Sequence, residues 1–141
     1  MKQYESKQQQ ILLPAEQIFK LISDFNNLTP VVADKVEEWC VDGEGGDSCS
    51  FKAKGFKIRL KIAEKIECKH VKVVPDGDGA APMDFGFWIQ LHSVSESDTR
   101  FRLVLKAELN TMMNMMIGGK IQGAIDQVAE QVAYAFASKR A

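Results

Sequence analysis

The sequence predicts an α+β fold in which an antiparallel sheet packs against one long helix at the C-terminal end. Two neighbouring features predict it: a β-hairpin over residues 85–109 and an amphipathic helix over about residues 111–138. Each has one apolar face that needs cover, and elements adjacent in sequence usually pack together. A chain of 141 residues can bury a sizeable core, so residues 1–141 are predicted to form one domain.

Every second residue of the predicted hairpin is apolar, which is typical of strands with one covered face. Val94 is expected to pair with Arg100, and this choice matters because a one-residue slip would exchange the two faces. The expected inward pairs are Leu91 with Leu103, Ile89 with Leu105, Phe87 with Ala107 and Phe85 with Leu109. On the outer face, Trp88 and Lys106 are expected to form an exposed cation–π pair.

The first half of the chain predicts one strand, two short helices and then further strands. Residues 4–13 form the first strand, and Pro14 begins a helix whose apolar stripe ends near Asp24. A second short helical turn follows the break at residues 24–30. Further strands are predicted at residues 36–41, 48–53, 56–67 and 71–74, before a loop at residues 75–84.

The same register argument extends the apolar face through the upstream strands. Pairing Ala53 with Phe56 across the turn at residues 54–55 sets the alignment. The expected inward pairs are Phe51 with Ile58, Cys49 with Leu60, Val41 with Cys49 and Trp39 with Phe51. Cys40 and Cys49 then lie on opposite faces, which argues against a disulfide and against a shared metal.

Composition argues against several classes of function. The formal net charge is −1 and the basic residues are scattered, so no nucleic-acid partner is predicted. The first residues are polar and no apolar run approaches ~20 residues, so neither a secretion signal nor a membrane span is expected. Three cysteines then predict reduced thiols and a cytoplasmic location. Neither His70 nor His92 has a partner at metal-ligand spacing, so no metal or other cofactor is predicted.

Two segments of the sequence resemble the helix-grip superfamily. Residues 14–24 (PAEQIFKLISD) are similar to its opening strand-to-helix segment, and residues 107–110 (AELN) are similar to its last strand entering the C-terminal helix. The superfamily, of SRPBCC type, includes START-like lipid-transfer domains, polyketide cyclase- and dehydrase-like proteins, and relatives of plant pollen allergens. The resemblance implies a seven-stranded curved antiparallel sheet around a long C-terminal helix, with two short helices after the first strand. It also implies an apolar or amphipathic small molecule held between sheet and helix, and no shared catalytic residue.

The space beneath the final helix is either a filled core or a ligand pocket. Aromatic residues at strand spacing are common in filled cores, whereas small residues opposite them, such as Ala107 and Ala124, would leave space. The resemblance favours the pocket. The predicted ligand-binding residues are Trp39, Phe51, Ile58, Leu60, Ile62, Phe85, Phe87, Ile89, Leu105, Ala107, Met112, Met113, Met116, Ile117 and Ile121.

Methionines cluster where the last strand becomes the helix. They are Met112, Met113, Met115 and Met116. Methionine is flexible and suits surfaces that adapt to varied apolar partners, and the glycines at 118 and 119 weaken a helix by about 1 kcal/mol each. One interpretation is a ligand gate, with Met112, Met113, Met116 and the loop at residues 75–84 bordering the pocket entrance. The other is ordinary core packing beside an irregular helix start.

Glu64 breaks the apolar pattern of its strand. Strict alternation from Phe56 places Glu64 on the inner face, where a buried carboxylate would be costly and its pKa would rise. Glu64 would then be a polar anchor or an acid–base group, and it is the weak catalytic candidate. The alternative is a β-bulge near Ala63 that turns Glu64 to solvent.

Three functions follow from these patterns. The leading hypothesis is non-covalent binding of a hydrophobic or lipid-like small molecule by a monomer or weak homodimer. The second is a cyclase- or dehydrase-type enzyme acting in the same cavity, with Glu64 as its acid or base. The third is a module that binds a protein partner through the outer sheet face around Trp88.

Overall fold

The computed structural model describes residues 2–77 and 79–137. The strands are β1 (Lys2–Glu5), β2 (Gln9–Ile11), β3 (Glu37–Asp42), β4 (Ser48–Ala53), β5 (Phe56–Ile66), β6 (His70–Pro75), β7 (Phe85–Ser95) and β8 (Asp98–Ala107). The α-helices are α1 (Ala15–Ile22), α2 (Thr29–Val32), α3 (Thr111–Met113) and α4 (Ile121–Ala137). Tighter 3₁₀ turns lie at Phe25–Leu28 and Glu44–Gly46, and a wider π-helical turn lies at Asn114–Gly118. The predicted α+β order is confirmed. No helix within the described residues is long and apolar enough to cross a membrane.

The sheet is antiparallel, with its strands in the spatial order β1-β8-β7-β6-β5-β4-β3, and β2 also pairs with β8. The predicted first strand is therefore two pieces of one edge strand, so eight strands fill the seven expected positions. The interruption lies at Ser6, whose N–H donates to the Leu103 carbonyl at 2.8 Å. The Ser6 hydroxyl accepts the Leu103 N–H at 2.9 Å, so a side chain replaces one backbone acceptor of the ladder.

The final helix is anchored to this interruption by polar contacts. The Lys7 N–H donates to Asp126 Oδ1 at 2.7 Å, and Gln122 Nε2 donates to the Glu5 carbonyl at 2.7 Å and to Asp126 Oδ2 at 3.2 Å. The hydrogen bond from the Lys7 N–H, and then that from Gln122, lower the pKa of the Asp126 carboxyl. These bonds fix α4 along the edge of the sheet and direct its apolar side inward. The buried residues of α4 are Ile125, Ala129, Val132 and Phe136.

The β7–β8 hairpin has the predicted faces but a register shifted by two residues. Leu91 pairs with Phe101 rather than with Leu103, and the other pairs move with it. The inward pairs are Ile89 with Leu103, Phe87 with Leu105 and Phe85 with Ala107. The strands continue to a tight turn at residues 96–97, so the longer turn assumed around Val94 was wrong. An even shift preserves the faces, so the inward set stays inward.

The upstream register is confirmed for most pairs. Ala53 pairs with Phe56, and Cys49 pairs with both Leu60 and Val41. Phe51 pairs with Ile58 as expected. The predicted pairing of Trp39 with Phe51 is interrupted by an irregularity between Glu37 and Cys40, although the two rings still lie 6.0 Å apart. Cys40 is exposed and Cys49 is buried, which confirms their placement on opposite faces.

The turn between β3 and β4 approaches the short helices closely. Gly46 has a φ of +73°, and a side chain there would also collide with the Asp24 carboxylate. That carboxylate accepts the Asn26 N–H at 2.8 Å and so caps the 3₁₀ turn that follows α1. Glycine at this position therefore lets the sheet edge and the short helices pack together.

The final helix is not continuous, which corrects the prediction of one helix over residues 111–138. Asn110 Oδ1 accepts the Met113 N–H at 2.8 Å and caps α3, the π-helical turn follows, and α4 begins after Gly118 and Gly119. Two adjacent glycines disfavour continued helix, which gives the physical reason for the break. Residue 138 lies outside the described residues.

Candidate functional site: an apolar cavity beneath the final helix

A cavity of about 180 Å³ lies between the inner face of the sheet, the short helices and α4. The short helices and the segment after them contribute Phe25, Leu28, Val31, Val32 and Val36. The sheet contributes Trp39, Cys49, Phe51, Leu60, Val73, Phe87, Ile89 and Leu103, and α4 contributes Val128 and Val132. Strand alternation brings the sheet residues to one face, and helical spacing brings Val128 and Val132 to one side of α4.

Two of the described side chains that line the cavity carry a polar atom, and neither offers a strong hydrogen bond to a ligand. The Trp39 indole N–H donates to Thr29 Oγ1 at 2.8 Å, so its one donor is already used. Cys49 is fully buried, and burial, with the Asp42 charge second, raises the pKa of its thiol to about 12. Its thiol is therefore neutral near pH 7 and behaves as a small apolar group.

Partly exposed lining residues occur on both the helical and the sheet side of the cavity. Eight are half-buried: Leu28, Val32, Val36, Val128, Trp39, Phe51, Leu60 and Phe87. Deeper lining residues are buried: Phe25, Val31, Cys49, Val73, Ile89, Leu103 and Val132. The cavity is therefore partly open to solvent rather than sealed.

Solved structures share this architecture over nearly the whole chain. Norcoclaurine synthase from Thalictrum flavum, in complex with dopamine and hydroxybenzaldehyde, is similar with a TM-score of 0.75 and 12% identity over 99% of this chain and 88% of that chain. The protein TTHA0849 from Thermus thermophilus is similar with a TM-score of 0.73 and 15% identity over 99% and 100% of the two chains. A protein from Thermobifida fusca gives a TM-score of 0.72 at 11% identity over 99% and 96%.

The chain has the helix-grip fold. At these identities the likeness establishes the fold and leaves the activity to be argued from the site. No protein-family model matches the sequence, and no curated protein matches it.

Five of the residues predicted to bind a ligand line the helix-grip cavity: Trp39, Phe51, Leu60, Phe87 and Ile89. All five lie on the inward face that strand alternation predicts. Their rings and branched side chains form the sheet side of the cavity wall.

Five other predicted residues share that inward face but do not line the cavity. They are Ile58, Ile62, Phe85, Leu105 and Ala107. Ile62 and Leu105 pack against the hydrophobic core, and Ala107 is fully buried. Ile58 and Phe85 are half-buried. Ile58, Ile62 and Leu105 pair directly with the lining residues Phe51, Val73 and Phe87, so they lie beside the cavity without lining it.

The predicted methionine gate does not border the cavity. Met112 and Met116 are exposed to solvent, and Ile117 and Ile121 are half-buried outside the lining. Met113 lines a separate open surface cleft of about 440 Å³, which also includes Pro82 of the loop at residues 75–84. Met113 and this loop do meet, as the gate hypothesis requires, but at a cleft that shares no lining residue with the cavity.

The helical side of the cavity was entirely missing from the predicted ligand-binding residues. Leu28, Val31 and Val32 have the spacing of one helix face and continue the stripe that ends at Phe25. That spacing was the available signal. The omitted lining residues are Phe25, Leu28, Val31, Val32, Val36, Cys49, Val73, Leu103, Val128 and Val132.

Glu64 lies outside the cavity. The β5–β6 register shifts between Ile62 and Glu64, which supports the alternative of a bulge near Ala63 over the inward placement, and Glu64 pairs across the sheet with Lys72 on the outer face. The Glu64 carboxylate is exposed and lies 2.6 Å from His70 Nε2. Among the described residues, Cys49 is the one titratable group in the lining, and no three His, Cys, Asp or Glu residues cluster to hold a metal.

Trp88 lies on the outer face of the sheet, over Gly86. An added Cβ at Gly86 would lie 2.7 Å from the indole ring, so the ring is packed against the strand itself. Lys106 Nζ lies 5.3 Å from the ring centroid, which confirms the predicted cation–π contact, and Lys72 Nζ adds a second at 5.1 Å. Because its own chain covers part of the indole, the hypothesis of a protein partner around Trp88 is weakened.

Proposed function

We propose that the protein binds a small, uncharged, apolar molecule non-covalently in the cavity between the sheet and α4. The observation that carries the proposal is the unfilled space of about 180 Å³ enclosed by apolar side chains. Well-packed interiors hold few voids larger than a water molecule. An apolar cavity of roughly 150 Å³ stays dry and accepts benzene.

The chemistry of the lining favours a ligand without charges or strong hydrogen-bonding groups. The Trp39 N–H already has a partner, and the Cys49 thiol is neutral. A charged or strongly polar ligand would lose its bonds to water without replacement, which costs several kcal/mol. Norcoclaurine synthase, of the same fold, is in complex with two small aromatic molecules, which supports a small-molecule role.

The enzyme alternative has less support from the site. General acid–base chemistry needs a titratable group within reach of the substrate. Glu64 lies on the outer face, and the pKa of Cys49 is raised to about 12. Binding alone is therefore the function that the lining favours.

Toluene is a suitable probe because its ring matches the volume of the cavity. In methyl NMR spectra, toluene is expected to shift the signals of Ile89 and Leu103 in a saturable way. The methyl groups of Ile18 and Ile22 are the control, since both are buried and neither lines the cavity. The midpoint temperature of thermal unfolding should rise with toluene concentration. At a hundredfold excess of toluene over Kd, binding should stabilise the folded state by about 2.7 kcal/mol. Equal, non-saturating shifts in both groups would contradict the proposal.

A further inference from the structure

Three thioether side chains project into solvent together in the segment between β8 and α4. Met112 is 70% exposed, Met115 is 81% exposed and Met116 is 62% exposed. None of them lines the cavity or the surface cleft beside Met113. Large apolar side chains that are exposed as a group, rather than singly, call for an explanation in terms of binding.

The spacing of the three methionines brings their side chains close together. Met115 and Met116 follow Met112 by three and four positions, so each lies close to one helical turn beyond Met112. Each methionine side chain is unbranched and flexible, so the sulfurs can converge without a change in the backbone.

The backbone that carries the methionines is held at its start. Asn110 Oδ1 accepts the Met113 N–H at 2.8 Å and caps the helix. Lys2 Nζ donates to Asn114 Oδ1 at 2.6 Å and ties the segment to β1. The segment also contains a π-helical turn at Asn114–Gly118, a distortion that is frequent at functional sites.

The chemistry of a thioether narrows the choice of ligand. Thioether sulfur is a neutral, soft donor that selects Cu(I) over hard cations, which prefer oxygen ligands. No group of three His, Cys, Asp or Glu residues that could hold a metal is present within residues 2–77 and 79–137. Because the methionines are exposed to solvent, a bound ion can keep water molecules on the side that faces away from the protein. A hydrated ion with a single charge does not require a negatively charged ligand, so three neutral sulfur atoms can suffice.

We propose that Met112, Met115 and Met116 form a three-thioether site for a soft monovalent metal ion, Cu(I) or Ag(I). The site lies outside the apolar cavity and does not depend on the function proposed for it. Either ion satisfies the same donor set, and the two are distinguished by titrating each alone.

The thiols must be removed from the assay because they bind both ions more strongly than thioethers do. Cys40 is exposed and Cys68 is half-buried, so both are replaced by serine, whereas the buried Cys49 is kept. Silver nitrate is then titrated into protein carrying methyl-labelled methionine. We expect one equivalent to shift the ε-methyl signals of Met112, Met115 and Met116 in a saturable way. Cu(I), titrated without oxygen, should shift the same signals.

Leucine variants separate coordination from apolar exposure, since leucine keeps the apolar character and the helix propensity but lacks the sulfur. Replacing Met112, Met115 and Met116 together should abolish the saturable Ag(I) binding, while circular dichroism and Tm stay unchanged. The matched control replaces Met83 and Met113, both half-buried, and should keep the binding. Undiminished Ag(I) binding by the triple variant would overturn the proposal. An equal response of the three methyl signals to Zn(II) would also overturn it, because a soft site discriminates against zinc.

Discussion

The cavity can be tested by filling it at one position and comparing the result with its neighbour. Val73 and Val71 lie two residues apart on the same face of β6, and both are buried. Val73 lines the cavity, whereas Val71 does not. Val73→Phe and Val71→Phe are therefore the same chemical change at two matched sites, and phenylalanine, like valine, is favourable in strands.

The two substitutions should differ in their effect on the free energy of unfolding. At Val73 a phenyl ring can enter the space of about 180 Å³, and cavities of about 150 Å³ accept benzene. The newly buried apolar area contributes about 25 cal/mol per Å², which offsets local adjustment, so we expect a change of less than about 1 kcal/mol. At Val71 the ring meets a filled core, and overpacking of that kind costs about 1–3 kcal/mol.

Urea unfolding followed by circular dichroism measures both free energies, and toluene titration measures the cavity directly. Val73→Phe should lose saturable toluene binding, whereas Val71→Phe should keep it if the variant remains folded under the assay conditions. A similar destabilisation of about 1–3 kcal/mol in both variants would refute the unfilled space. Toluene binding that survives in Val73→Phe would place the ligand elsewhere in the protein.

Three further substitutions each test one contact of the fold. Thr99 is fully buried, and its hydroxyl donates to the Leu13 carbonyl at 2.8 Å. Thr99→Val should therefore lower the free energy of unfolding, measured in urea, by about 1–3 kcal/mol. An unchanged free energy would contradict a stabilising role for this hydrogen bond. The pKa of Asp126 is lowered in the folded state, so its charge stabilises the fold above the unfolded pKa of about 3.9 and this contribution is lost as the pH falls through the folded pKa. The difference in the free energy of unfolding between wild type and Asp126→Asn should therefore be largest near pH 7 and should fall toward zero at acidic pH. A difference that does not change with pH would contradict the lowered pKa of Asp126. Gly86→Ala should displace the Trp88 ring and shift its fluorescence to the red in a Trp39→Phe background, and an unshifted spectrum would show that the ring does not rest on Gly86.

Strand alternation predicted the inner face of the sheet correctly because that signal is local. Residues of one face recur at every second position, whatever the partner strand does. The β4–β5 register was also correct, since the two residues 54–55 leave little freedom to the turn. The β7–β8 register was not, because several turn lengths between Val94 and Arg100 give the same faces. Which residues pair across the hairpin depends on the length of the turn, whereas which residues face inward does not change when the register shifts by an even number of residues.

The cavity and the helix break required information that lies outside the local pattern. Alternation within β5 placed Glu64 inward, but the shift in β5–β6 pairing turned it outward. The contribution of Val31 and Val32 depends on how the short helices pack on α4, which no single segment specifies. Glycines 118 and 119 indicated a weak helix, but not that the chain would separate there into two parts with different surroundings.

The break at the glycine pair divides the C-terminal segment into two parts with different chemistry. Val128 and Val132, after the break, line the cavity, whereas the exposed methionines lie before it. Val128 lines the cavity, so a larger side chain at this position would occupy part of its space. Leucine at Met112, Met115 and Met116 should leave toluene affinity unchanged because none of them lines the cavity, whereas Val128→Phe should weaken it by filling part of the space. If the leucine variant lost toluene binding instead, the methionine segment would act on the cavity after all, and the two sites would have to be treated as one.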